Sequence, residues 1–90
     1  MALDLRAKSE PSDVEAAVRE ALPDAATPDD VQRFARANGM ECSDVVDGVV
    51  YCSAKARSRM PFVAGKWLLR FFFDDGRLAR IEVEKGLTGP

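Results

Sequence analysis

The stretch Lys66-Trp67-Leu68-Leu69-Arg70-Phe71-Phe72-Phe73, then Asp74-Asp75-Gly76, then Arg77-Leu78-Ala79-Arg80-Ile81-Glu82-Val83-Glu84, constrains the fold more than any other. It holds the single Trp and three of the five Phe residues. Two apolar runs around a glycine-containing bend read as the strands of a hairpin. Taking Asp74-Asp75-Gly76 as a three-residue loop pairs Trp67 with Val83, Leu69 with Ile81 and Phe71 with Ala79. All six then share one face, because strand side chains alternate. A two-residue loop would set Phe71 against Arg80 and Leu69 against Glu82, so the longer turn is the expected one. The other face then carries Leu68, Arg70 and Phe72 opposite Glu82, Arg80 and Leu78.

The chain has 90 residues, which is one domain near the small end of the range. Chains of this length bury roughly 60–65% of the surface they expose when unfolded, so every large apolar side chain counts. The formal net charge is -2 with acids and bases interspersed, unlike the concentrated basic face of a nucleic-acid binder. No apolar run approaches the roughly 20 residues of a membrane span. The start, Met1-Ala2-Leu3-Asp4-Leu5-Arg6, lacks the basic-then-apolar plan of a signal peptide. The protein is therefore expected in the cytoplasm as written, or in the periplasm or cell envelope if an export signal has been removed. Histidine is absent, so no Ser–His or Cys–His nucleophile pair can be built and the commonest zinc ligand is missing. The expectation is no catalytic residue, no metal, no cofactor and no small-molecule substrate.

Residues 1–11 read as a frayed lead-in, residues 12–85 as a single domain and residues 86–90 as a tail that tucks Leu87 against the sheet or a helix. Ser12-Asp13-Val14-Glu15 has the form of a capping box, and Val14, Ala17, Val18, Ala21 and Leu22 follow at helical spacing. Pro23 stops this helix. Thr27-Pro28-Asp29-Asp30 opens a second, with Thr27 as N-cap, Pro28 at the first helical position and two carboxylates that suit the dipole. Its inner face is Val31, Phe34, Ala35 and Ala37; Gln32, Arg33 and Arg36 face out, and Asn38-Gly39 is the C-cap. A three-residue loop Val46-Asp47-Gly48 then joins two strands, pairing Val45 with Val49, Ser43 with Tyr51 and Cys42 with Cys52. Directly opposed cysteines lie within disulfide reach; two buried reduced thiols are the alternative. Lys55, Arg57 and Arg59 alternate along the long connection 55–65, as a patch for phosphate or an acidic partner, or as plain solubilising charge.

The order of elements predicts an α+β domain, with two N-terminal helices packed on one face of a four-stranded antiparallel meander sheet. The run from Thr27-Pro28-Asp29-Asp30-Val31 to Asn38-Gly39, Cys42 with Cys52, and the strand Trp67 to Phe73 together resemble a superfamily of small envelope domains. That superfamily includes the SmpA/OmlA (BamE) lipoproteins and beta-lactamase inhibitor protein. The resemblance spans roughly residues 12–84 and implies a helix pair leading to a sheet, a disulfide near the first strands, and an accessory or inhibitory role through protein binding. The chain departs from that pattern where Asn38-Gly39-Met40 replaces a Gly-x-Pro turn, and it shows no lipidation Cys at its start.

Leu68, Arg70, Phe72, Leu78 and Arg80 mix apolar side chains with Arg, the composition of a partner contact. The leading expectation is a non-catalytic domain of the bacterial envelope that binds a protein, or itself, through this face. The amino-terminal segment or the tail covering the face is the structural alternative. A second reading is a cytoplasmic regulator or inhibitor, of phage or immunity type, presenting Glu20, Asp24, Asp29 and Asp30 as an acidic surface. A third is an enzyme working through Glu41 or Asp44.

Overall fold

The computed structural model describes residues 10–56 and 64–88. The elements are α1 Pro11–Ala21, α2 Pro28–Ala37, β1 Glu41–Cys42, β2 Val49–Ala56, β3 Ala64–Asp74 and β4 Arg77–Thr88. The strands form one antiparallel sheet in the order β1-β2-β3-β4, so the chain is the expected α+β domain.

Helix α1 begins earlier than its sequence suggested. Glu10 is the N-cap and makes no side-chain cap bond, while Pro11 occupies the start of the helix. The missing N–H of Pro11 falls where a helix has no acceptor for one anyway, and its fixed φ suits the first turn. Ser12 is therefore inside the helix and the Ser12–Glu15 box does not form. Val14 and Val18 are fully buried and Leu22 nearly so; Ala21, expected on the same stripe, is exposed. The helix stops because Leu22 precedes Pro23 and takes the extended conformation that position favours.

Helix α2 follows its sequence closely. Thr27 Oγ1 accepts from the Asp30 backbone N–H at 3.2 Å, and Asp30 Oδ2 accepts from the Thr27 N–H at 3.0 Å. At the far end Met40 N–H donates to Ala35 O at 2.8 Å and Gly39 N–H to Arg36 O at 3.3 Å. Gly39 sits at φ 72, so this is a complete Schellman ending, with Met40 buried beneath it. Ala37 points outward, leaving Val31, Phe34 and Ala35 as the inner face.

The cap gives a first test. Thr27→Ala should cost about 1 kcal/mol in urea unfolding. The bonds from Thr27, backbone first and hydroxyl second, hold the Asp30 carboxyl below its ordinary value, with Arg33 a smaller contributor. A lowered folded value gives stability that is present above the unfolded value and lost as pH falls through the folded one. Asp30→Asn should thus be less stable than the parent at pH 7, and the gap should close as acid protonates Asp30 in the folded state. A gap that stays constant from neutral to strongly acid pH would contradict this role.

Both hairpins close differently from expectation. Asp47-Gly48 and Asp75-Gly76 are two-residue turns, with φ of 51 and 75 in the first and 53 and 76 in the second. Two successive left-handed residues make the primed turn whose twist matches that of the strands. A two-residue turn alone would point the wrong side chains inward, and each hairpin repairs this with one extra residue. Phe73 pairs with Leu78 but Phe72 pairs with Arg80, leaving Ala79 as a bulge. In the first hairpin Val46 opposes Val49 while Cys42 opposes Cys52, so the extra residue lies between Cys42 and Val46. The partners are accordingly shifted by two positions: Trp67 opposes Lys85, Leu69 opposes Val83 and Phe71 opposes Ile81. The face is unchanged, and that is what the core needs.

Helices and sheet meet over Val50, Cys52, Trp67, Leu69, Phe71 and Ile81, against Val14, Val18, Leu22, Val31 and Ala35. Strand β2 runs beside β3 with Val50 opposite Phe71, Cys52 opposite Leu69 and Ala54 opposite Trp67. Cys42 and Cys52 form a disulfide, Sγ–Sγ 1.99 Å, on this inner side. Backbone bonds from Phe73 N–H to Gly48 O and from Leu78 N–H to Ala26 O pin the turns and the α1–α2 connection to the sheet. Strand β4 runs on to Thr88, so residues 86–88 are strand where a tail was expected. The expected lead-in before residue 10, Arg57, Arg59 and the side chain of Leu87 lie outside the described residues.

Candidate functional site: the outer face of the sheet

The helices occupy one side of the sheet, and the other side presents four cross-strand rows. They are Val49–Phe72–Arg80, Tyr51–Arg70–Glu82, Ser53–Leu68–Glu84 and Lys55–Lys66–Gly86, each running β2, β3, β4. Four of the five residues expected on this face are there: Leu68, Arg70, Phe72 and Arg80. Leu78 is not. The bulge at Ala79 turns Leu78 to the helix side, where it opposes Phe73 and packs against the core.

The same shift removes the head-on meeting of Arg70 and Arg80 that a three-residue loop would have produced. Arg70 now faces Glu82, and its Nη2 donates to the diagonal neighbour Glu84 at 2.8 Å, with Nε 3.4 Å from Glu82. The hydrogen bond to Glu84, then the charge of Glu84, hold the Arg70 guanidinium above its ordinary value. Arg80 lies 4.2 Å from the centroid of the Phe72 ring and 3.6 Å from the other oxygen of Glu82. Exposed ion pairs like these add little stability each, but a connected set fixes where the guanidinium groups stand. Phe72 thus stacks against a cation and is partly buried.

Around that lattice the face is apolar and accessible. Leu68 is 41% exposed and Tyr51 51%. Leu68 leans over Gly86, where an added Cβ would stand 3.4 Å from its Cδ1. Val45 and Val46 add further exposed apolar surface before the first turn. Tyr51 and Val49 were missed from the sequence, although the signal was present: once Cys52 is turned inward, its neighbour Tyr51 must point out.

At one end of this face a shallow cavity of about 260 Å³ is lined by Gly39, Glu41, Ser53, Ala54, Lys55 and Lys66. A second, about 210 Å³, lies between α2 and β1 and includes Gln32, Arg36, Cys42 and Asp44. Glu41 and Asp44, the carboxylates considered for acid–base work, therefore belong to different cavities. Of the acidic helical residues, Asp29 and Asp30 are engaged by Arg33 at 2.8 and 3.4 Å. Glu20 and Asp24 are exposed. Among the described residues no group of three or more Cys, Asp or Glu is placed to hold a metal ion.

Compared with known proteins, the chain matches no family model, no curated protein and no solved structure.

Proposed function

We propose that this chain is a non-catalytic protein-binding domain of the bacterial cell envelope, acting through the outer face of its sheet. The observation that carries this reading is the exposed Tyr51 and Leu68, with part-exposed Phe72, around a pre-ordered Arg70–Glu82–Glu84 and Arg80–Phe72 lattice. Aromatic and aliphatic groups interleaved with held guanidinium groups bind a protein surface at low ordering cost, because the Arg side chains are already fixed. The envelope part is supported by the Cys42–Cys52 bond, which persists in oxidising compartments, and by the resemblance to small envelope domains. No helix among the described residues is long and apolar enough to cross a membrane.

Phe72→Glu is the direct test. Phe72 lies outside the buried core, so the fold should survive while a carboxylate displaces the Arg80 stack and interrupts the apolar row. Partner capture from envelope extract, or self-association by light scattering, should be lost. An unchanged result with native circular dichroism would remove this face as the site. Thiol titration of natively purified protein under denaturing, non-reducing conditions tests the compartment, since two reactive thiols would place the chain in a reducing one.

A further inference from the structure

The outer face is not uniform in charge. Arg70 and Arg80, towards its turn end, are neutralised by Glu82 and Glu84. Lys55 and Lys66 are different: they oppose each other directly across β2 and β3, and neither makes an ion pair with any described residue. Like charges in direct cross-strand register repel. Here they also share a cavity with the Ser53 hydroxyl, a good donor, one position along the same face. Among the described residues Glu41 is the single acid lining that cavity, so their side chains there sum to one positive charge. A site of that charge suits a monoanion better than a phosphate dianion.

We infer that Lys55, Lys66 and Ser53 form a subsite for a carboxylate presented by an acidic segment of the protein partner, with its apolar neighbours lying along Leu68 and Tyr51. This rests on the reading of the outer face as a protein-binding surface and names the chemistry of the partner. Binding relieves the repulsion between the two ammonium groups, and the adjacent Leu68 gives the segment an apolar contact within one cross-strand row. Lys66→Gln and Lys55→Gln should consequently leave the free protein at least as stable as the parent.

The test is a titration of the oxidised full chain, followed by backbone amide signals, with two short synthetic peptides that alternate Leu with Glu or Leu with Gln. A third arm uses inorganic phosphate at matched ionic strength. The Glu peptide should give saturable shifts at Ser53, Lys55 and Lys66 and bind about fivefold or more tightly than the Gln peptide, as loss of one exposed charge contact of about 1 kcal/mol implies. That preference should weaken with added salt and vanish in the Lys55→Gln/Lys66→Gln variant. Equal binding of the two peptides, no saturable shift with either, or an undiminished preference in the double variant would overturn the inference. Saturation by phosphate and not by the Glu peptide would also overturn it, reassigning the subsite to a phosphate group. Phe72→Glu separates this from the broader reading. Partner capture kept in Phe72→Glu but lost in the double-Gln variant sinks the apolar face and spares the subsite. The reverse pattern sinks the subsite alone.

Discussion

Phe71→Ala should lower the free energy of unfolding by about 3–5 kcal/mol, while Phe72→Ala, one residue along, should cost only about 1 kcal/mol. Phe71 is fully buried, with Val50 opposite it on β2 and Ile81 opposite it on β4. Removing its ring leaves a cavity that two hydrogen-bonded neighbours and a helix layer cannot close. Phe72 points to the other side, where truncation loses the Arg80 stack and some half-exposed area. Domains of this size are stable by about 5–15 kcal/mol, so the first substitution removes a large share of that stability and the second does not. Urea unfolding followed by Trp67 fluorescence reads both, because Trp67 is fully buried when folded. If Phe72→Ala proves the more costly, the two faces have been exchanged, and the proposed binding surface is in truth the core.

The contrast between these neighbours shows what the sequence carried and what it did not. Alternation along Trp67–Phe73 was enough to sort inner from outer residues, because burying one face of a sheet tolerates no single-residue slip. Local chemistry placed Thr27, Pro28, Asp30 and Gly39 correctly, since each satisfies a backbone need within its own few residues. The turn length was not legible from the apolar pattern. Counting pairs under the assumption of a regular ladder excluded the Asp-Gly two-residue turn, although Asp-Gly is among the strongest signals for it. The bulge that reconciles the two is a cooperative choice of the whole hairpin, and nothing at Ala79 announces it. The cost of that missing residue fell on the candidate site: Leu78 moved to the core side, and Arg70 gained Glu82 as its neighbour in place of Arg80. Ser12 failed as a cap for a related reason, because Pro11 already supplied a start that needs no side-chain bond.

Reducing the Cys42–Cys52 bond, or replacing both residues by Ala, should lower stability by about 2–3 kcal/mol, the second largest effect anticipated. The bond joins residues separated by 10 positions, so the constraint it places on the unfolded chain is that of a short loop. Its consequence in the folded state should be local. Strand β1 is only two residues long, and beyond the bond and its short ladder with β2 the segment is held by Ser43 N–H to Tyr51 O at 2.8 Å, Tyr51 N–H to Ser43 Oγ at 3.1 Å and the reciprocal Val46–Val49 bonds at 3.0 Å. With the sulfurs separated, residues 41–46 should open first, while β2, β3, β4 and the helices keep their shared core. Hydrogen exchange should then quicken at Cys42, Ser43 and Tyr51 and stay slow at Phe71 and Ile81. Loss of protection throughout the sheet on reduction would instead make the bond a condition of the fold. A local response has a functional corollary, because Phe72, Arg70 and Leu68 lie on β3 and draw their order from β4. Reduced protein should therefore retain the Arg70–Glu84 lattice, with only Tyr51 and Ser53 loosened where they face residues 41–43, so the bond secures one edge of the proposed surface and leaves its centre to the hairpin.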